Sequence, residues 1–158
     1  MRAQIHRIGW GLTLALTVAL AARSAATELK PAPRGDAHVE AASELFAILN
    51  EAESSRRDAL IAKAFAENGV FNDAEGRAEG GRAISQRIDV LQRAQPGLRY
   101  QLIGTVERQH DALHFAFEVV DKTGTTNFEG SIFALLSADG KLTRVDLFAE
   151  PGGGMALP

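Results

Sequence analysis

Hydrophobic residues recur with two different periods along the chain. Spacings of three and four residues run through 36–69 and again through 81–95, which predicts two helices followed later by a third. From Leu98 onward, apolar and polar residues alternate, as they do in strands with one buried face. With a short early strand at 70–72, the predicted order is α-α-β-α-β-β-β-β.

Capping and turn residues mark the limits of these elements. Ser55, followed three residues later by Asp58, forms a capping-box pattern that predicts the start of the second helix. Asn68-Gly69 offers the left-handed residue that ends many helices. Segment 73–79 is predicted to be a loop, and Asp139-Gly140 is a hairpin signal before the last strand.

The order of the elements indicates the fold class. Helices come early and strands late, without a repeated βαβ unit, which is typical of an α+β domain. In such a domain a curved, mainly antiparallel sheet is covered by helices on one face. The run 131–136 is apolar at almost every position, so we expect it in the centre of the sheet. The predicted folded domain spans 36–149.

The first 26 residues have the pattern of a secretory signal peptide. They are basic at the start, contain an uncharged, mostly apolar run at 8–22, and offer small residues for cleavage after Ala21 or Ala26. As a helix this run would measure roughly 22 Å, which is short of the ~30 Å hydrocarbon core of a membrane. We therefore expect cleavage and a periplasmic or secreted protein without a membrane anchor. Segments 27–35 and 150–158 are predicted to be a flexible lead-in and a flexible tail.

Composition excludes several classes of function. The chain has no cysteine, and hence no disulfide, thiolate metal site or thiol nucleophile. Its formal charge of −3 argues against a nucleic-acid partner, the more so because removing 1–26 leaves 14 basic residues against 20 acidic ones. No dinucleotide, phosphate-loop or nucleophile-elbow motif is present, and the histidines lack ligand spacing. We expect neither a cofactor nor a metal.

Three stretches carry a resemblance to a known family. Residues 64–73 (AFAENGVFND) join a helix end, a short strand and an acidic residue, and 80–84 (GGRAI) supply a glycine before the third helix. Residues 138–148 (ADGKLTRVDLF) form a final hairpin. In these features the chain resembles the nuclear transport factor 2-like superfamily over 36–149, in particular its SnoaL-like and ketosteroid-isomerase-like branches. The resemblance implies a cone-shaped α+β barrel with a deep apolar pocket, often in a dimer.

Asp73 is the candidate catalytic residue. The resemblance places it where ketosteroid-isomerase-like members keep a general base, and a carboxylate inside an apolar cavity is a stronger base than one in water. The surrounding segment 72–76 (NDAEG) fits equally well a turn in which the aspartate binds its own backbone. Both interpretations of Asp73 stay open at the level of sequence.

The electrophilic partners of that family mechanism are missing by this alignment. The first helix offers Leu45, Phe46 and Leu49 where the family has a tyrosine, and Ile132 stands at the position of the donor aspartic acid. Each such donor contributes about 3 kcal/mol or more to catalysis. Ketosteroid isomerisation by the family mechanism is therefore not expected.

Three functions compete on this basis. The first is an exported protein that binds a small hydrophobic or amphipathic molecule, the second a cyclase or isomerase that uses Asp73 as general acid or base. The third is a homodimer or other interaction module built on the outer sheet face. His110-Asp111 is predicted to be a hairpin turn rather than a catalytic dyad.

Two sets of residues belong to these hypotheses. The residues expected to face the helix–sheet space, either as pocket lining or as core, are Phe46, Leu49, Phe65, Phe71, Phe115, Phe117, Phe133 and Phe148. The residues expected on the outer face are Arg99, Gln101, Ile103, His114 and Glu118.

Overall fold

The computed structural model describes residues 37–149. The predicted leader at 1–26, the lead-in at 27–35 and the tail at 150–158 lie outside the described residues, and export stays a prediction. Within 37–149, no helix has both the length and the apolar character needed to cross a bilayer.

Three helices form: α1 (Ala37–Asn50), α2 (Ser54–Ala64) and α3 (Gly81–Ala94). In α3 the apolar stripe from Ile84 to Leu91 that predicted the helix is buried against the rest of the domain. The two early helices and the later third one are therefore confirmed.

The start of α2 differs from the capping-box prediction. Glu53 is the N-cap, and its carboxylate accepts hydrogen bonds from the backbone N–H groups of Ser55 (2.9 Å) and Arg56 (3.0 Å). Ser55 lies inside the first turn instead of capping it. A longer carboxylate side chain satisfies two free N–H groups at once and places negative charge at the helix N-terminus.

Six strands form one curved sheet. They are β1 (Phe65–Asp73), β2 (Gly76–Glu79), β3 (Arg99–Gln109), β4 (Ala112–Val120), β5 (Thr126–Leu136) and β6 (Leu142–Ala149). Their spatial order is β2-β1-β6-β5-β4-β3, and only the β1–β6 pair is parallel. The predicted α+β class, the order of the elements and the central position of β5 are confirmed.

The segment around β1 corrects two sequence predictions. The loop predicted at 73–79 contains the short strand β2, which pairs back onto β1. Asn68-Gly69 does not end α2, because the helix stops at Ala64 and the strand starts with the next residue. Gly69 lies at an irregularity in the β1–β6 register, where a Cβ would come within 3.1 Å of the carbonyl oxygen of Leu142. Glycine is needed there for close approach, not for a left-handed turn.

The interior between helices and sheet is filled mainly by apolar side chains. Six of the eight residues predicted to face this space are buried in it: Phe46, Leu49, Phe65, Phe71, Phe115 and Phe117. They pack together with Leu45 and Ile132, both fully buried. The deep hollow that the resemblance implies is thus largely occupied by the chain's own side chains.

The other two phenylalanines of that set point away from the interior. Successive strand residues alternate between faces, and β5 turns Ile132 inward and Phe133 outward. Phe133 stands opposite His114 of β4 and Asp146 of β6 on the outer face. Phe148 of β6 lies on that face too, with 58% of its surface exposed.

A buried arginine ties the three helices together. The side chain of Arg57 in α2 is 1% exposed, and its guanidinium donates to Ser85 Oγ (3.1 Å) and Asp89 Oδ1 (3.4 Å) of α3. It also donates to Gln92 Oε1 (3.2 Å) and to the carbonyl oxygen of Glu51, just after α1 (2.8 Å). A buried charge is tolerated only when its donors are satisfied in this way.

We expect Arg57→Ala to lower the free energy of unfolding by about 3 kcal/mol or more, because it leaves several buried acceptors without a donor. The matched control is Arg93→Ala, which removes the other cation paired with Asp89 but lies exposed on α3. That change should cost less than about 0.5 kcal/mol. Urea denaturation of both variants measures the difference, and equal losses would contradict the structural role of Arg57.

Candidate functional site

Asp73 and Arg87 form an ion pair at the end of the sheet. Arg87 Nε lies 2.6 Å from Asp73 Oδ2, and Arg87 Nη2 lies 2.8 Å from Asp73 Oδ1. The guanidinium thus donates two parallel hydrogen bonds to the carboxylate. The Asp73 side chain is only 4% exposed. Such bidentate, charge-assisted pairs are among the stronger polar contacts in proteins.

Asp73 is held by its own turn as well. The backbone N–H groups of Glu75 and Gly76 donate to Asp73 Oδ1 at 3.0 and 3.1 Å. Asp73 thus binds its own backbone, as the turn interpretation expects, and its side chain also faces the interior; a catalytic role stays a prediction. From the described residues Oδ1 accepts three hydrogen bonds, whereas Oδ2 accepts one, from Arg87.

The local periodicity explains why these residues meet. Asn72 pairs with Asp146 in the parallel β1–β6 ladder, which puts Asp73 and Leu147 side by side on the inner face. Arg87 and Leu91 are four residues apart on α3 and so share one face of the helix. The end of β1 and this face of α3 together enclose the site.

Glu75 adds a second negative charge. Its Oε2 lies 2.8 Å from Arg87 Nη2, at the more exposed side of the pair. The hydrogen bond that Arg87 donates to Asp73 raises the pKa of Arg87 above its ordinary value, and the contact with Glu75 raises it further. With two carboxylates and one guanidinium, the cluster carries a formal charge of −1.

A cavity of about 190 Å³ opens beside this cluster. The residues that line it are Asp73, Ala74, Glu75, Arg87, Leu91, Leu147 and Ala149. An apolar cavity of about 150 Å³ is enough to hold a benzene molecule. The site thus suits one ring or a group of similar size, between apolar walls and one polar edge.

Tyr100 is the residue that the sequence analysis missed as a site candidate. It is the chain's only tyrosine, it faces inward from β3, and it is 6% exposed. Its hydroxyl oxygen is buried without a hydrogen-bond partner in the described part of the chain. Burial raises the pKa of Tyr100 to about 12, and the negative charge of Asp73 contributes while Arg87 opposes it. Alternation alone marked Tyr100 as buried but gave no sign that its hydroxyl lacks a partner.

The ring of Tyr100 is fixed on several sides. The Asn50 side chain at the end of α1 accepts from the Tyr100 backbone N–H (2.8 Å) and donates to its carbonyl (2.7 Å). Phe117 and Phe128 pack on the ring at centroid distances of 5.6 and 6.4 Å. Phe117 in turn fills the space above Gly130, where a Cβ would come within 2.6 Å of the ring.

The remaining candidates lie away from this site. His110 and Asp111 form the β3–β4 turn, as predicted, with His110 at a positive φ of 56°. His114 lies exposed on the outer face, 3.6 Å from Glu107. Phe133 borders a shallow groove there. Within 37–149, no three histidine, aspartate or glutamate side chains converge in a group that could hold a metal.

The residues predicted for an interaction surface share the outer face. Gln101 of β3 donates to Glu118 of β4 at 2.9 Å, and Ile103 stands opposite Ala116 in the same ladder. These contacts show which face they occupy, and the homodimer through this face stays a prediction.

Because Tyr100 is unique, its ionisation can be followed directly by absorbance at alkaline pH. In the folded protein we expect a midpoint near pH 12, and in the urea-unfolded chain a midpoint near the ordinary tyrosine value of 10. A phenol whose pKa is raised on folding stabilises the fold below the unfolded pKa, and this contribution is lost as pH rises from about 10 to about 12. The expected loss is about 2–3 kcal/mol, measured as the difference between wild type and Tyr100→Phe. A midpoint near 10 in the folded protein would show that the hydroxyl is not buried.

The sequence matches no protein-family model and no curated protein at a significant level. Solved structures do match. A protein from Agrobacterium tumefaciens, described as a proposed isomerase of the SnoaL-like family, has a TM-score of 0.70 at 26% identity, over 73% of this chain and 99% of that one.

Two further structures match at lower identity. A proposed SnoaL-like polyketide cyclase from Jannaschia sp. has a TM-score of 0.61 at 15% identity, over 75% of this chain and 89% of that one. A protein of unknown function with a cystatin-like fold from Nostoc punctiforme has a TM-score of 0.58 at 16% identity, over 72% and 89%. These two show the fold alone. The predicted resemblance is confirmed: the chain has the α+β cone fold of the SnoaL-like and nuclear transport factor 2-like proteins.

Proposed function

We propose that the protein binds a small, largely apolar molecule in the cavity beside the Asp73–Arg87 pair. The observation that carries this proposal is a ring-sized cavity with apolar walls and a single polar edge, at an end of the helix–sheet interior. Small-molecule sites are commonly concave and apolar with a few fixed polar groups. Export of the protein is part of the same proposal and rests on the pattern of residues 1–26.

The charge of the site restricts what enters it. Asp73 and Glu75 both contact the single guanidinium of Arg87, so no cation is left over to receive an anionic ligand. A carboxylate in the cavity would face a cluster that is already negative. We therefore expect uncharged molecules to bind better than anions of the same size.

The size of the site restricts it as well. At about 190 Å³ the cavity accepts one ring with a short substituent, not a multi-ring molecule. Phe115 and Phe117 are buried in the core and do not line the cavity. A larger ligand would have to project through the mouth of the cavity into solvent.

Nitrogen-15 NMR titration with ethylbenzene and with benzoate tests this proposal. We expect ethylbenzene to shift the amide signals of residues around Leu91 and Leu147, and benzoate to bind at least about tenfold more weakly because of the negative cluster. If neither compound shifts these signals, the binding site is not where we place it.

A pair of variants on neighbouring residues provides the control. Ala149 lines the cavity, so Ala149→Leu should fill it and abolish ethylbenzene binding. Phe148 lies on the opposite face of the same strand, so Phe148→Ala should leave binding unchanged. Equal affinities in the two variants would contradict the assignment of the cavity.

A second candidate function is acid–base catalysis of the isomerase or cyclase type by Asp73. The specific observations in its favour are the free lone pair on Asp73 Oδ2 at the cavity wall and the relative at 26% identity described as a proposed isomerase. Against it stands the ion pair with Arg87, whose guanidinium already donates a hydrogen bond to the same oxygen.

Hydrogen–deuterium exchange separates binding from catalysis without a known substrate. An enzyme of this type would remove a proton from the methyl group of acetophenone to give the enolate, and then return a deuteron from D₂O. On the binding proposal we expect exchange no faster than in buffer. Acceleration that disappears in Asp73→Asn but persists in Glu75→Gln, the neighbouring carboxylate, would instead establish Asp73 as a catalytic base.

A further inference from the structure

A cleft of about 300 Å³ lies between α2 and α3 and shares no lining residue with the cavity beside Asp73. Residues three, four or seven positions apart share one face of a helix, so each helix turns one row of side chains toward the cleft. All the side chains that line it are polar, and those with a charge or a hydroxyl are Ser54, Arg57 and Asp58 of α2 and Arg82, Ser85 and Asp89 of α3. The cleft therefore suits a charged or strongly polar ligand, in contrast to the cavity at the end of the sheet.

The floor of the cleft contains the buried guanidinium of Arg57. A guanidinium carries five N–H groups, and the four hydrogen bonds of Arg57 described above use four of them. The second N–H of Nη2 has no acceptor among residues 37–149. Because Arg57 is 1% exposed and lines the cleft, an acceptor for this N–H has to come from a molecule inside the cleft.

Ser85 supplies a second donor at the floor. It is 5% exposed, and its Oγ accepts the hydrogen bond from Arg57 Nε. A hydroxyl that accepts still has its own proton to donate, and in the described part of the chain no group accepts the proton of Ser85. The floor thus offers one buried donor from each helix, and a buried donor without an acceptor is costly.

The charges around the cleft do not balance. Asp89 is the carboxylate that contacts Arg57, at 3.4 Å, and it lies closer to Arg93, at 2.9 Å. One carboxylate is therefore shared by two guanidinium groups. Arg82 and Asp58, both exposed, form no ion pair with any residue that the structure describes. These three arginines and two aspartates carry a formal charge of +1, in a chain whose formal charge is −3.

We propose that this cleft binds a phosphate group, carried either by inorganic phosphate or by a small phosphomonoester. Arg57 and Ser85 donate to its oxygens from the floor, and Arg82 approaches from the rim as the cation without a partner. The inference is independent of the proposed apolar ligand, because the two sites have no residue in common.

The arrangement of the donors favours phosphate over other anions. Arginine N–H groups and hydroxyls are typical phosphate ligands, and the oxygens of a phosphate accept from several directions at once. Here the donors come from both helices, two at the floor and one at the rim. A halide ion has charge without directed acceptors. The volume of the cleft leaves room for a small organic group beside the phosphate.

Asp58 opposes such a ligand and makes the proposal sharper to test. Its carboxylate lines the cleft and repels an anion. Asp58→Asn should therefore bind phosphate about threefold more tightly than wild type does. Substitution at an exposed position improves binding in this way only if the anion lies close to it, so unchanged affinity in this variant would contradict the site.

The first experiment is a nitrogen-15 NMR titration of the protein with inorganic phosphate, and with sodium chloride at the same ionic strength. Both salts screen surface charges equally, so a difference between them reports binding. We expect phosphate to produce saturable shifts of the Ser85 amide and the Arg57 Nε signals, and chloride to leave them in place. Equal shifts with the two salts overturn the proposal and describe a cleft that holds only water.

A second titration with methyl phosphate distinguishes the two sources of the phosphate group. Tighter binding of methyl phosphate identifies a phosphomonoester as the ligand, and tighter binding of inorganic phosphate identifies the free ion. If neither compound shifts the signals of the cleft, the proposal is wrong for both.

Two exposed arginines provide a matched pair of variants. Arg82→Gln removes the rim cation and should weaken phosphate binding about tenfold, since hydrogen bonds to charged groups are the stronger ones. Arg77→Gln changes the net charge equally but lies on β2, outside the lining of the cleft, and should weaken binding less than about twofold. Urea denaturation checks that both variants stay folded. Equal losses in the two variants would show an effect of net charge alone and overturn the assignment of the site.

Discussion

The Asp73–Arg87 ion pair fixes the end of the domain where the cavity lies. It joins the β1–β2 turn to the middle of α3. An aspartate buried to this degree is stable only with its oxygens occupied, and the guanidinium together with two backbone N–H groups occupies them. The ion pair at the polar edge of the cavity is thus required by the structure. Any chemistry at Asp73 must take place with this ion pair in position.

The buried hydroxyl of Tyr100 contrasts with Asp73 in its hydrogen bonding. Asp73 accepts four hydrogen bonds, whereas the Tyr100 hydroxyl has no hydrogen-bond partner among residues 37–149. A fold that needed only a packed ring at this position would be served better by phenylalanine, because the ring contacts with Phe117 and Phe128 are the same without the oxygen.

Much of the fold could be predicted from periodicity, and the site only in part. The stripe on α3 and the alternation of the late strands are properties of short windows, and both elements formed as predicted. Gly69 was misjudged because its role depends on the backbone of β6, more than 70 residues away. Phe133 and Phe148 were assigned inward because an aromatic residue on a strand does not reveal its face, and only the register places Phe133 beside Asp146. For Arg87 the sequence offered one weak indication of a role, a charged residue next to the apolar stripe of α3. This does not identify Asp73 as its partner.

The fold alone does not determine how large a cavity the interior contains, because the side chains that fill the cone decide the cavity volume. Here Phe115, Phe117 and Leu45 are buried in the centre, and a cavity of about 190 Å³ lies at the Asp73 end. Related structures described as proposed polyketide cyclases share the backbone arrangement at 15–16% identity, a level at which such side chains change freely. The proposal of a ring-sized ligand therefore rests on the volume of this cavity, and the shared fold alone does not carry over the polyketide named in the descriptions of those relatives.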